Sequence, residues 1–334
     1  MTTRYESQKG SALLVVLLIL SVMVIVATNM TMHYNSEFLR TANFVNGIQG
    51  KWYNKSSDSL VRRVLHQDFE DDPNSVNLSQ YWATQGRTFE VDGGLISTHV
   101  FDEYSCFNLN ALANHGYDYS DESGNKTNMA KEMLLRLMLY MQIQQGDAEA
   151  VVDSITDMVD TDTSISRNGA EDSYYMSLAY PFVVPNTRLY NVSEIRAAKG
   201  MTASIYRRLK PFVCVLQNNE LHINVNTLTE TKAPLLAALM LSDYMTVESA
   251  LDIIKSRDRE GWTTVSNFLN QELVTNLSTD RTKGFISSVV AVNSSVFHAE
   301  TEVEYNGLKR RFFSYFVKNN KDAILYKREY GGAE

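Results

Sequence analysis

The feature that most constrains this chain is an uncharged apolar run near its N-terminus. Residues 11–27 carry only aliphatic, methionine, alanine and serine side chains, and the run stays largely apolar to residue 32. At a rise of about 1.5 Å per residue, a helix over residues 11–32 is roughly 33 Å long, which matches the hydrocarbon core of a bilayer. The sequence therefore predicts a membrane-spanning helix.

A short polar leader precedes this run, and its Arg4 and Lys9 are expected to keep that end in the cytoplasm. A cleaved secretory signal is disfavoured because residues 28–30 form a poor cleavage site and the helical pattern continues. Lys9-Gly10, followed by the small Ser11 and a long aliphatic helix, resembles the class III signal of type IV pilins and type II secretion pseudopilins. The resemblance implies cleavage after Gly10 and methylation of Ser11. An uncleaved anchor is the alternative.

The fifth residue after the leader is Val15, whereas most pilins carry glutamate there. In those pilins the carboxylate meets the N-terminal ammonium of a neighbouring subunit. A subunit with valine leaves the ammonium of any subunit ahead of it unpaired, and burying such a charge costs several kcal/mol. Val15 therefore predicts a position at the tip of a filament. Loss of this glutamate is characteristic of one family, the type II secretion minor pseudopilin K.

The net charge indicates which partners are disfavoured, and the cysteine content bears on the cellular compartment. The 334 residues carry a net charge of −8, which disfavours a nucleic-acid role. The two cysteines, Cys106 and Cys214, lie beyond the membrane run, and an even count in an oxidising compartment favours a disulfide between them. Closing the loop between the two cysteines would add on the order of 4 kcal/mol to the free energy of unfolding. Two buried free thiols are the alternative.

The helical pattern continues past the membrane run. Phe38, Val45 and Trp52 are spaced seven residues apart, and apolar residues recur to about residue 65. A single helix of about 50 residues is therefore expected. Gly47 and Gly50 are candidate bends in it.

Strand patterns flank a long helix-rich middle. Alternating apolar and polar residues surround Gly93-Gly94 and Asn306-Gly307, and each pair predicts a β-hairpin. Residues 285–292 also have strand character. The fold class predicted is α+β, a pilin-like long N-terminal helix on an antiparallel sheet, with a large mainly helical domain inserted in the sheet. The predicted parts are a leader at 1–10, a membrane or fibre-core helix at 11–32, a pilin-like domain at 33–105 and 283–334, and the inserted helical domain at 106–282.

A short internal repeat lies in that middle. Phe107-Asn-Leu-Asn and Ile223-Asn-Val-Asn share one alternating pattern, and each precedes a helix-rich stretch. The second asparagine of each copy is expected to turn or cap the chain into the helix-rich stretch after it. The repeat favours a pseudo-duplicated helical domain.

An acidic segment at 157–172 is the one candidate metal site. Its oxygen-bearing side chains follow the spacing of an EF-hand loop, at Asp160, Asp162, Ser164, Ser166, Asn168 and Glu171. Ile165 stands where an EF-hand requires glycine, so an irregular calcium loop is predicted instead of an EF-hand. A solvated acidic turn is the alternative.

The same segment, with its neighbours, resembles the helical-domain core of the type II secretion minor pseudopilin K family. The matching stretches are Asp-Met-Val-Asp-Thr-Asp at 157–162 and the segments 169–175, 185–186, 193–196 and 199–202. Family members often have tryptophan where Met158 stands, a difference expected to affect only packing. The resemblance implies structural Ca²⁺ with Asp157, Asp160, Asp162, Glu171 and Asp172 as candidate ligands.

The resemblance also implies a function and its partners. The protein would cap the periplasmic pseudopilus in a complex with the I-type and J-type minor pseudopilins, on top of the major pseudopilin. It would be a substrate of the prepilin peptidase, anchored once in the bacterial inner membrane with most of the chain in the periplasm. Secreted substrates are further candidate contacts.

Enzyme motifs are missing from the sequence. It has no nucleophile elbow, phosphate loop, HExxH or CxxC motif, and its six histidines are scattered. We therefore expect a non-enzymatic structural protein. A membrane-anchored periplasmic module that binds nucleic acid or peptide is the alternative, because Gly200 and Thr202 suggest a helical hairpin beside Arg207 and Arg208.

Overall fold

The computed structural model describes residues 11–84, 87–120, 124, 126–277 and 280–331. The leader, including the predicted cleavage residue Gly10, lies outside the described residues. The first elements are α1 (Ser11–Asp71), β1 (Arg87–Val91), β2 (Gly94–Asp102), β3 (Phe107–Asn108), β4 (Asp118–Ser120), β5 (Lys126–Asn128), α2 (Met129–Tyr140), α3 (Gln145–Val159), α4 (Asp172–Tyr175) and α5 (Ala203–Leu209). The remaining ones are β6 (Val213–Cys214), β7 (Ile223–Asn224), α6 (Ala233–Leu239), α7 (Val247–Ser256), α8 (Val265–Leu269), α9 (Glu272–Leu277), α10 (Asp280–Val289), β8 (Val290–Ala291), β9 (Val296–Tyr305), β10 (Leu308–Asn319) and β11 (Asp322–Tyr330).

The first helix is a single element of 61 residues. Its N-terminal half is exposed throughout, and within the described ranges it is the one helix long and apolar enough to cross a membrane. Its C-terminal half lies on the sheet and buries one face, which includes Ser57, Val61 and Leu65. The helix α1 therefore has two parts, an exposed N-terminal half suited to anchoring in a membrane and a C-terminal half, here called the spine, that packs on the sheet.

Two glycines allow the sheet to approach this spine closely. A Cβ added to Gly47 would lie 2.9 Å from the guanidinium of Arg310, and one added to Gly50 would lie 3.9 Å from the ring of Phe312. The helix continues through both positions. The glycines that the sequence suggested as bends therefore have a packing role.

The main sheet has five antiparallel strands in the order β1-β2-β9-β10-β11. Both predicted hairpins are present, at Gly93-Gly94 and at Asn306-Gly307. Asn306 and Gly307 have φ values of 49° and 78°, the left-handed conformation that a tight two-residue hairpin turn requires. The inward residues of β9, among them Phe297 and Val303, are buried against α1.

The helical domain is inserted between β2 and β9, which are neighbours in the sheet. Its buried residues, from Phe107 to Val292, form the largest hydrophobic cluster of the described chain. Smaller clusters lie under α1. The predicted α+β fold class, with a helical domain inserted in an antiparallel sheet, is confirmed.

The two repeat motifs occupy equivalent places in this domain. The strand β3 pairs in parallel with β6, and β7 pairs in parallel with β8. The second asparagine of each motif is buried and holds a distant backbone segment with its amide. Asn110 contacts Leu189 and Leu216, and Asn226 contacts Trp262 in the same manner.

The strand predicted for residues 285–292 is wrong for most of its length. Residues up to Val289 belong to α10, and only Val290–Ala291 forms a strand, β8. Phe285, Ile286 and Val289 are buried together, and their spacing places them on one helix face. Packing against the helical core therefore outweighs the β propensity of this apolar run.

Candidate metal centre

The acidic segment forms a loop between α3 and α4. Asp157 lies in the last turn of α3 and is fully buried, and Asp160 follows directly after the helix. Glu171 precedes α4 and is 4% exposed. The end of α3 and the start of α4 thus bring carboxylates from both ends of the loop into one region.

Several side-chain oxygens in and beside this loop are buried without a hydrogen-bond partner. They are Oδ1 of Asp160, both carboxylate oxygens of Glu171, and the amide Oδ1 of Asn186, which lies in the segment after α4. A buried carboxylate without donors is costly, because nothing replaces the water it has lost. Oxygen atoms of this kind are what a hard cation such as Ca²⁺ binds. The donor set therefore fits calcium.

The carboxylates also act on one another. Burial, followed by the charges of Asp162, Asp157 and Glu171, raises the pKa of Asp160 to about 6. Burial likewise raises the pKa of Glu171, with a further contribution from the charge of Asp157. Such repulsion is relieved when a cation lies among the oxygens.

Asp157 has a different set of contacts from the other carboxylates. Both of its oxygens accept the backbone N–H of Ser166, at 3.1 and 3.2 Å, so it closes the loop onto the end of α3. A Cβ at Gly169 would lie 2.0 Å from Oδ2 of Asp157, so only glycine fits there. Lys199 donates from Nζ to the carbonyls of Asn168 and Gly169, at 3.3 and 3.0 Å, and holds the loop from its other side.

Asp162 and Asp172 are the exposed members of the predicted ligand set. Oδ1 of Asp162 accepts the N–H of Ser164 at 2.7 Å, and this backbone hydrogen bond lowers the pKa of Asp162. Oδ1 of Asp172 accepts the N–H of Val184 at 2.8 Å. Asp172 therefore already serves to fasten the segment after α4.

Asn186 is a candidate ligand that the ligand prediction left out. Its Nδ2 donates to the carbonyl of Asp162 at 2.8 Å, while its Oδ1 is buried without a partner. Its φ of 42° is a left-handed conformation that asparagine tolerates well. The Pro185-Asn186 pair was visible in the sequence, but no spacing rule connects it to a loop more than a dozen residues away.

The tightest cluster of possible ligand atoms lies elsewhere. Within the described ranges, Glu103, Cys106 and Cys214 are the group whose ligand atoms all lie within 4.8 Å of one another. Cys106 and Cys214 are joined by a disulfide with a Cα–Cα distance of 5.7 Å, so their sulfurs are not thiolate ligands. The acidic loop is more open than this group, and it would have to tighten around an ion.

The N-terminal site residues lie far from this loop along α1. Ser11 is the first described residue, at the start of the helix, and Val15 is exposed one turn later. No carboxylate lies near them in the apolar run, which is uncharged. The N-terminal region and the acidic loop are thus two separate sites.

Comparison with known families gives one consistent description. Two family models, both described as type II secretion system (T2SS), protein K, match residues 105–218 and 223–292. These two ranges coincide with the two repeat units, which begin at β3 and β7. A type II secretion system protein K from Aeromonas hydrophila is 40% identical over 331 residues, covering 98% of both chains. One from Pectobacterium carotovorum subsp. carotovorum is 34% identical, covering 97% of both.

A solved structure is similar to most of this chain. It is the complex of GspK, GspI and GspJ from the enterotoxigenic Escherichia coli type 2 secretion system. The matching chain is 30% identical in sequence, with a TM-score of 0.79, covering 88% of this chain and all of the other. The similarity therefore includes the helical insertion as well as the sheet.

Proposed function

The chain belongs to the type II secretion system protein K family of minor pseudopilins, and from this membership we propose that it is the tip subunit of its own pseudopilus. The observation that carries the proposal is the helical domain inserted between β2 and β9, since the solved K-type chain covers it at a TM-score of 0.79. In this role the chain starts pseudopilus assembly and supports protein export across the outer membrane.

The partners follow from the same relationship. The similar chain was solved in a complex with GspI and GspJ. We propose that the I-type and J-type pseudopilins of the same secretion system bind this chain, and that the major pseudopilin lies below them. The exposed apolar start of α1 supports an anchor in the inner membrane before assembly, with the remaining domains in the periplasm.

The tip position is supported by Val15. A subunit above this chain would bury an N-terminal ammonium without a carboxylate partner, at a cost of several kcal/mol. The tip has no subunit above it, so no such cost arises there. We propose no catalytic role, because the carboxylates of the acidic loop hold structure and because no enzyme motif occurs in the sequence.

Processing of the leader tests the proposal directly. Mass spectrometry of the chain extracted from membranes should give a mature N-terminus at Ser11 that carries one methyl group. A Gly10→Leu variant should keep its leader and abolish secretion. An unprocessed wild-type chain, or normal secretion by the variant, would refute the proposed role.

We further propose that the acidic loop holds structural Ca²⁺. Asp160, Glu171 and Asn186 supply buried oxygens without partners, and Asp157 and Asp162 supply further charge beside them. Calcium would offset the repulsion among the carboxylates and order a loop that has few apolar residues of its own. It would supply no chemistry beyond that.

Chelation tests the calcium proposal. The full-length chain in detergent should lose several degrees of melting temperature when a chelator removes Ca²⁺, because a ligand that binds only the folded state stabilises it. Glu171→Gln should remove most of that response. Asp252→Asn, which changes an exposed carboxylate on α7, should preserve it. An equal calcium response in wild type and Glu171→Gln would refute the site.

A further inference from the structure

The sheet and the helical domain have separate apolar cores. All buried residues of the largest cluster lie in the range 107–292, and among the described residues the two clusters under α1 share none of them. A small cluster between the cores consists of Tyr104, Cys106, Cys214 and Leu216. Domains that share little apolar surface move relative to each other unless other contacts hold them. The orientation of the helical domain on the sheet therefore depends on polar contacts.

The two chain connections between the domains have the arrangement of a hinge. One follows Asp102 of β2 and the other precedes Phe297 of β9, and these two residues are partners in the register of adjacent strands. Two connections that lie side by side define an axis about which a domain can rotate while a few residues absorb the change. A single orientation is therefore kept only if contacts beside these connections restrain the rotation.

A buried hydrogen-bond network lies at this hinge. Oδ2 of Asp102 accepts hydrogen bonds from Oγ1 of Thr227 at 2.6 Å, from Oγ of Ser294 at 2.7 Å and from Nδ2 of Asn224 at 3.2 Å. Its Oδ1 accepts the N–H of Tyr104 at 2.8 Å. The carboxylate and its three side-chain donors are all buried. The last residue of β2 is thus bonded both to the helical domain and to the returning chain.

Asn224 extends the network to the connection between α1 and β1. Its Nδ2 also donates to the carbonyl of Val76 at 3.0 Å and to Oγ of Ser294 at 2.8 Å. The N–H of Val76 in turn donates to the carbonyl of Val292 at 3.0 Å. One side-chain amide therefore joins the helical domain to the segment after α1, to the end of β2 and to the returning chain.

The equivalent asparagine of the first repeat motif bonds within the helical domain. Asn108 is as buried as Asn224, at 1% and 0% exposed. Its Nδ2 donates to the carbonyls of Asn218 and Glu220, at 3.0 and 2.9 Å, and its Oδ1 accepts the N–H of Leu216 at 3.0 Å. These partners all belong to the helical domain. The two copies of the motif therefore differ in function, because the second copy reaches the other domain.

The charge of Asp102 makes the network costly to open. Burial raises the pKa of Asp102 to about 6, and the hydrogen bonds from Ser294 and Thr227 oppose that rise. The carboxylate is therefore charged at about pH 8, where uncharged donors replace the water that it has lost. Rotation of the helical domain would withdraw these donors from a buried charge, and such a loss is unfavourable.

A second set of contacts joins the domains at β11. Nζ of Lys327 donates to the carbonyl of Tyr190 at 2.8 Å, and Nδ2 of Asn191 donates to Oε1 of Glu329 at 3.0 Å. The side chains of Lys327 and Glu329 are 32% and 27% exposed, so water can replace these bonds at little cost. The buried network is therefore the stronger constraint on orientation.

We propose that Asp102 and Asn224 form a lock that holds the helical domain in one orientation on the sheet. When donors to Asp102 are removed, the lock opens and the domain rotates about the paired connections at β2 and β9. The lock also fixes the direction in which the helical domain faces relative to α1. It is a property of the fold of this chain and does not depend on the proposed tip function.

Pulsed electron paramagnetic resonance tests the lock in the full-length chain in detergent. Spin labels are attached to p-acetylphenylalanine at position 244 of the helical domain, where Tyr244 is 85% exposed, and at the exposed Lys309, at the end of the sheet away from Asp102. This chemistry leaves the disulfide intact. Wild type should give one narrow distribution of distances between the labels. Asn224→Ala and Thr227→Val should widen it about twofold or more, because domains without a fixed interface rotate.

Two control variants remove comparable buried groups inside the helical domain. Asn108→Ala matches Asn224→Ala. Thr156→Val matches Thr227→Val, because the buried hydroxyl of Thr156 donates to the carbonyl of Val152 in its own helix. Both controls should keep the narrow distribution. Circular dichroism and melting temperatures show which variants are folded, and if an alanine variant unfolds, the threonine pair decides, since each change replaces one hydroxyl by a methyl group.

Three results would overturn the lock. The first is a distribution for folded Thr227→Val that is as narrow as that of wild type, or a wild-type distribution that is already as broad. The second is equal widening in Thr156→Val, because the effect would then be a general loosening of the helical domain. The third is widening of the same size in Lys327→Met, which should leave the width unchanged and would otherwise assign the orientation to the contacts at β11.

Discussion

Removing the disulfide should greatly weaken the helical domain. Cys106 and Cys214 are separated by 108 positions and close nearly the whole first repeat unit into one loop. Constraining a loop of about 100 residues in the unfolded chain is worth about 4.7 kcal/mol at 25 °C. The free energy of unfolding falls by about 3 kcal/mol for each molar increase in urea concentration, so the urea concentration at the midpoint of unfolding should fall by about 1.5 M.

The assay is urea unfolding of the full-length chain in detergent, followed by circular dichroism. Cys106→Ala/Cys214→Ala is compared with oxidised wild type and with wild type in reductant. The alanine pair and the reduced wild type should unfold at the same low midpoint. A double variant whose midpoint equals that of oxidised wild type would refute the loop-closure reasoning.

Three further predictions concern single side chains. His298 lies 2.5 Å from Glu103 in an ion pair, and although burial opposes its charge, Glu103 and Glu300 together raise its pKa from 6.5 to about 9. Its stabilising contribution is therefore complete below about pH 6.5 and is lost as the pH rises through about 9, so the melting temperature of wild type, but not of His298→Gln, should show that step. Gly169→Ala should weaken the calcium response of the melting temperature, because its Cβ would lie 2.0 Å from Asp157 Oδ2; a response equal to that of wild type would contradict the loop geometry. Asn226→Ala should lower the free energy of unfolding by about 2–4 kcal/mol, since it leaves the N–H and the carbonyl of Trp262 buried without partners. Asn226→Asp should not recover that loss in the same urea titration, because it would bury a carboxylate oxygen against the carbonyl of Trp262.

Local signals in the sequence were sufficient for much of the fold. The Asn306-Gly307 turn was predicted because its left-handed conformation is a property of those two residues alone. The long first helix followed from its apolar spacing. The strand predicted at 285–292 failed because Phe285 and Ile286 satisfy either pattern, and only the helical core that they contact decides between them.

The acidic loop shows the same division. Its carboxylates could be identified from their spacing, and the structure brings Asp157 and Glu171 close enough to Asp160 for their charges to add to the effect of burial and raise its pKa. The contribution of Asn186 could not be predicted, because it depends on how the segment after α4 folds back to Asp162. The need for glycine at 169 likewise appears only once Asp157 lies against it.

The attachment of the helical domain has a consequence for modularity. The chain leaves the sheet at Asp102 and re-enters it near Phe297, and these two residues face each other across adjacent strands. A detour whose two ends nearly touch can be excised and replaced by a tight turn while the ladder stays in register. The excision would remove hydrogen-bond donors from the Asp102 carboxylate, because Asn224, Thr227 and Ser294 donate to it. Those donors all belong to the excised segment, so a minimal pilin derived from this chain would rely on water to solvate Asp102.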